Sequence, residues 1–116
     1  MTYEQLWLRA FALTVVIEAP IYTLMLRRGM RTLLATILLA IGLQVVTHPA
    51  LWFVAPRFEP YWAWVTVMEL LVWLVEGLIA GAVITHPKGR RHALLWGLFA
   101  SLCANGVSTA IGLLIH

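Results

Sequence analysis

The stretch from Tyr61 to Ile84, YWAWVTVMELLVWLVEGLIAGAVI, decides the fold. It is apolar over the ~20 residues that a helix needs to cross a hydrocarbon core, yet it contains two carboxylates, Glu69 and Glu76. A helix turns ~100° and rises ~1.5 Å per residue, so this spacing puts both acids on one face about 10 Å apart. An ionised side chain at mid-bilayer costs roughly 2.5–3.5 kcal/mol on insertion scales. Such a helix needs polar neighbours, and the rest of the chain has to supply them.

Three further stretches read as membrane-spanning by the same criterion. The predicted helices run over about 5–26, 32–54, 61–85 and 92–115, within a single transmembrane domain covering 1–116. With 116 residues, 62% of them hydrophobic, and a mean hydropathy of +0.90, the chain is too apolar for a soluble domain of this size. The fold class expected is an all-α integral membrane protein, a four-transmembrane-helix bundle. The first segment is longer than a signal-peptide core and carries Glu18 and Pro20, so it is read as a retained helix. The single cysteine, Cys103, excludes an internal disulfide and a CxxC metal clamp and is read as a packing residue.

The net charge of +3 is distributed unevenly. Arg27, Arg28 and Arg31 surround the first connection, and Lys88, Arg90 and Arg91 the third, whereas the second has Arg57 beside Glu59. The positive-inside rule then places connections one and three in the cytoplasm and both termini outside, in a bacterial-type inner membrane. Tyr3, Trp7, Trp52, Phe53, Tyr61, Trp62 and Trp64 gather at the opposite, outer interface. Topology accounts for the basic residues, so no nucleic-acid partner is expected and the partner environment is the lipid bilayer.

Polar residues inside the segments fall on faces. Thr14, Glu18 and Tyr22 recur every four residues in the first, and Gln44, Thr47 and His48 share a face in the second. Pro20 and Pro49 should free the carbonyls of Val16 and Val45, the latter adding an acceptor to the polar region. Gly77 and Gly81, one turn apart in the third segment, allow close helix approach, and Gly97, Ser101, Asn105, Ser108 and Gly112 line one face of the fourth.

The two hairpins also resemble each other. Ile17-Glu18-Ala19-Pro20-Ile21 parallels Val75-Glu76-Gly77-Leu78-Ile79, and Gln44-Val45-Val46-Thr47 parallels Asn105-Gly106-Val107-Ser108. Each reads as a helix with an intramembrane Glu, a basic turn, and a helix with an amide and a hydroxyl three apart. A duplication of this kind would relate the hairpins by an axis along the membrane normal.

Depth along the helices sorts the polar groups into an inner layer of Glu18, Glu76 and Tyr22 and an outer layer of Glu69, Gln44, His48, Asn105 and Ser108. Two carboxylates in one low-dielectric site do not both ionise cheaply, so the pair should exchange a proton near neutral pH. The function expected is movement of a proton, metal ion or small cationic solute along a relay of Glu18, Glu69, Glu76, His48, Gln44 and Asn105, supported by Tyr22, Thr47 and Ser108. Two alternatives stand beside it. In one, Glu18, Glu76, Glu69 and His48 hold a divalent metal for an intramembrane enzyme. In the other, the chain is an accessory or assembly subunit of a larger membrane complex. A homodimer is compatible with the small volume that four helices enclose. His86, His92 and His116 read as interfacial rather than catalytic.

Overall fold

The computed structural model describes residues 1–115; His116 lies outside the described residues. Four helices account for most of the described residues: α1 (Tyr3–Leu26), α2 (Leu33–Phe53), α3 (Tyr61–Val83) and α4 (Arg90–Leu114), with a short 3-10 turn at Arg27–Gly29 after α1. All four are long and apolar enough to cross a membrane. The shortest, α2, has 21 residues, hence a length of about 32 Å against a hydrocarbon core of about 30 Å. The bundle measures 45 × 25 × 25 Å, and its long axis matches a bilayer with headgroups.

Local chemistry starts and stops the helices near the predicted boundaries. Thr2 caps α1 by accepting from the Gln5 backbone N–H, and the Gln5 side chain accepts in return from the Thr2 N–H. Thr32 caps α2 through Ala35. Before α4 the chain turns at Gly89, whose φ of 102° is a conformation suited to glycine. Pro20 and Pro49 lie within continuous helices. Val16 and Val45 are 70% and 55% exposed on the bundle exterior, and among the described residues no side chain donates to their carbonyls. The expected extra acceptor at Val45 is therefore not part of the polar interior.

The helices pack in cyclic order, with α1 and α3 on one diagonal and α2 and α4 on the other. The α3/α4 contact is the most extensive and the α2/α3 contact the lightest. Glycine explains the first. A Cβ on Gly97 would lie 2.6 Å from the Gly81 Cα, and one on Gly81 would lie 2.6 Å from the Leu94 Cα. The two backbones touch there, as the Gly77/Gly81 pair predicts. Gly106 on the same helix meets nothing within 4 Å. Gly106→Ala should therefore be tolerated and raise the stability of the detergent-solubilised protein, by up to about 1 kcal/mol through helix propensity alone, measurable by thermal unfolding.

The ends are stitched differently. At the basic end, the Arg90 guanidinium donates to the carbonyls of Gly81 (2.6 Å), Ala82 (3.0 Å) and Ile84, capping α3 from the first turn of α4. The Trp96 indole donates to the Met25 carbonyl at 2.6 Å, while His86 and His92 stack on each other. At the aromatic end Tyr3, Trp7 and Phe11 interleave with Trp52 and Phe53. Arg57 lies over Trp64 and donates to the Tyr3 hydroxyl.

The hairpins correspond in burial as well as in residue type. Glu18, Tyr22 and Leu26 of α1 are buried, as are Glu76, Ala80 and Ile84, each 58 positions on. Of the buried α2 residues Thr36, Ala40, Leu43, Gln44 and Thr47, the first four correspond, 61 positions on, to the buried Gly97, Ser101, Ala104 and Asn105. The fifth corresponds to the half-buried Ser108.

Candidate functional site

The polar site lies where these buried faces meet. Helices α1 and α3 run toward the basic end, and α2 and α4 run back. Helical side chains lean toward their own N-terminus, so Glu18 and Glu76 lean toward the aromatic end and Gln44 and Asn105 toward the basic end. They meet in one layer. This departs from the assignment of both amides to an outer layer, which counted backbone depth and not side-chain lean.

Within that layer Glu76 is the hub. Its Oε1 accepts from the Tyr22 hydroxyl at 2.6 Å, from Asn105 Nδ2 at 3.2 Å and from Gln44 Nε2 at 3.5 Å. Its Oε2 faces the Thr47 hydroxyl at 2.5 Å. Glu18 Oε1 accepts from Gln44 Nε2 at 2.8 Å, so one amide bridges the two acids, and Ser108 lies against Glu18. Each amide thus bonds the acid of its own hairpin, Gln44 also reaching Glu76 at the longer distance, and each hydroxyl lies against the acid of the other hairpin.

Thr47 has a second acceptor within reach, the Leu43 carbonyl at 3.0 Å. A hydroxyl carries one hydrogen and can also accept. With Glu76 ionised, Thr47 donates to Oε2. With a proton on Oε2, that proton is donated to Thr47 Oγ1 and the hydroxyl hydrogen turns to Leu43. Both states leave every group satisfied after one hydroxyl rotation.

The outer layer consists of Glu69 and His48, each bonded to a threonine on the facing helix of its own hairpin. Glu69 Oε2 accepts from Thr109 at 3.0 Å, and His48 Nε2 is 3.3 Å from the Thr14 hydroxyl. The His48 ring sits between Phe11 and Trp52, with Nδ1 buried and without a hydrogen-bond partner among the described residues. Thr109 escaped notice in the sequence, although it lies four residues after Asn105 and at the position matching His48. Ser101, in turn, bonds to the Trp73 carbonyl, and the Trp73 indole to the Leu98 carbonyl, a pair of links that holds α3 and α4 together beneath the site.

A cavity of about 60 Å³ joins the layers, lined by Glu18, Glu69, Glu76, Gln44, His48 and Asn105 among others. At roughly 10–15 Å³ of such volume per water it has room for about four to six waters. Toward the basic end it is closed by the buried Tyr22, Leu26, Leu43, Ala80 and Ile84. Among the described residues no three His, Cys, Asp or Glu side chains converge as a metal-ligand set: Glu18 and Glu76 share Gln44, whereas Glu69 and His48 turn to separate threonines.

Fold and site together define a small four-helix membrane protein with a carboxylate pair in its interior. No protein-family model matches the chain, and neither a curated protein nor a solved structure is detectably similar to it.

Proposed function

We propose that the protein moves a proton or small cation through the bilayer, with Glu18 and Glu76 as the exchangeable carboxylates and Glu69, His48 and the cavity between them as the connection toward the aromatic end. The observation that carries this reading is the double reach of Thr47, to Glu76 Oε2 and to the Leu43 carbonyl, which lets a proton arrive and leave without a stranded polar group. The size of the cavity supports water or a small ion in the central site over an organic solute. The arginine distribution favours the basic end as the cytoplasmic one, with both termini outside in a bacterial-type inner membrane. The matched burial and the crossed hydroxyl contacts favour descent of the two hairpins from one.

The test is flux into vesicles reconstituted with the pure protein under an imposed pH gradient or cation gradient. Wild type should dissipate the gradient faster than empty vesicles. Thr47→Val, which keeps the shape and removes the hydroxyl, should lower the rate at least tenfold, and Thr47→Ser should restore it. Folded wild type with no flux of either kind would refute the proposal. Stoichiometric metal in the purified protein, lost in a Glu76→Gln, His48→Ala double variant, would replace it with the metal-site reading.

A further inference from the structure

The aromatic-end half of α3 is flanked by open grooves, one toward α2 and one toward α4. A groove of about 580 Å³ runs between it and α4, with Leu70, Trp73, Leu102, Gly106 and Leu113 among its walls, open to the side of the bundle. This volume lies in the range of sites that accept drug-sized organic molecules. Its walls are apolar except for Thr66, whose hydroxyl is turned to the Trp62 carbonyl, and an inner edge where Glu69, Asn105 and Thr109 line both the groove and the central cavity. Glu69 uses one carboxylate oxygen on Thr109. The other accepts no hydrogen bond among the described residues and is not fully buried, at an edge that borders both the groove and the central cavity. An acid at this depth that served packing alone would have both oxygens engaged, because a lone polar atom in hydrocarbon is costly.

We infer that the α3/α4 groove binds an amphiphilic monocation, its apolar body between Leu102, Gly106 and Trp73 and its charge against Glu69. Charge complementarity selects this occupant over a lipid acyl chain, which brings nothing to the carboxylate. The inference rests on the proposed movement of a proton by the Glu18/Glu76 pair and adds to it a second solute, the groove cation, held outside the central site and coupled to that proton. The shared edge at Glu69 and Asn105 is where the two would be linked.

The test is equilibrium binding of tetraphenylphosphonium to the purified protein in lipid nanodiscs, beside tetraphenylborate, which has the same shape and the opposite charge. Wild type should bind the cation saturably and at least tenfold more tightly than the anion. Glu69→Gln should weaken cation binding at least tenfold. Gly106→Leu should do the same by filling the groove, since a side chain there meets open space and the helix gains propensity. Equal binding of the two ions, or cation binding indifferent to Glu69→Gln and Gly106→Leu, would overturn the inference and identify the groove as a lipid or subunit contact. The proposed proton or small-cation movement fails separately, through absent flux in vesicles while the nanodisc binding persists.

Discussion

Glu76→Gln abolishes flux and leaves the bundle folded: vesicles holding this variant are expected to be indistinguishable from empty ones, while its melting temperature in detergent stays within a few degrees of wild type. Glutamine has the shape of the protonated acid. Its amide would occupy the Oε2 position and donate to Thr47 Oγ1, the Thr47 hydrogen would turn to Leu43, and the remaining oxygen would go on accepting from Tyr22 and Asn105. Interhelical hydrogen bonds in membranes are worth about 0.6 kcal/mol each on average. Keeping them all in the variant implies a cost below about 1 kcal/mol. What is lost is the ability to release a proton. Glu76→Leu should behave otherwise, because the Tyr22 hydroxyl would be stranded at about 1–3 kcal/mol, while Asn105 would keep only its bonds to Ser101. A Glu76→Gln variant that fails to accumulate while Glu76→Leu accumulates would reverse the assignment and make the carboxylate a packing element.

Gly97→Leu is expected to destroy the α3/α4 interface. Even the β-carbon would press on the Gly81 backbone, and backbone has no rotamer through which to yield. Overpacking of a single methyl typically costs about 1–3 kcal/mol. Gly97→Ala should fall at the upper end of that range, and leucine beyond it, with little monodisperse protein recovered on gel filtration. The effect should reach the site. Asn105 lies two turns along the same face, so an α4 displaced at Gly97 draws Asn105 away from Glu76, and the alanine variant should lose flux out of proportion to its stability. Gly112→Ala, on the same helix where a side chain meets open space and outside the groove, serves as the control.

Much of this architecture is legible in the chain. The apolar runs locate the four helices to within about two residues at most ends, and the Glu18 and Glu76 stripes identify the faces that turn inward. The parallel between Glu18…Gln44…Thr47 and Glu76…Asn105…Ser108 is visible in the letters and returns as matched burial. What the letters hide is direction. Tyr22 is one turn from Glu18 on its own helix, yet its hydroxyl goes across the bundle to Glu76. Gln44 and Asn105 lie at the depth of an outer layer by residue count and join the inner one because their side chains lean back along antiparallel helices. Arg90 looks like a topology signal alone, but it also caps the carbonyls at the end of α3, a contact set by a turn whose conformation at Gly89 no periodicity reveals.

The crossed hydroxyls bear on how such a protein could arise. Thr47 of the first hairpin completes Glu76 of the second, and Ser108 of the second lies against Glu18 of the first. A solitary ancestral hairpin would have held an acid and an amide but no hydroxyl on its own acid, so it could work only as a pair of identical copies. In that pair both acids would have been equivalent by symmetry. Joining such copies into one chain would remove that constraint: Tyr22 stands where the second half has Ala80 and serves Glu76 alone. Fusion of the proposed ancestral pair would thus let one carboxylate become different from its twin.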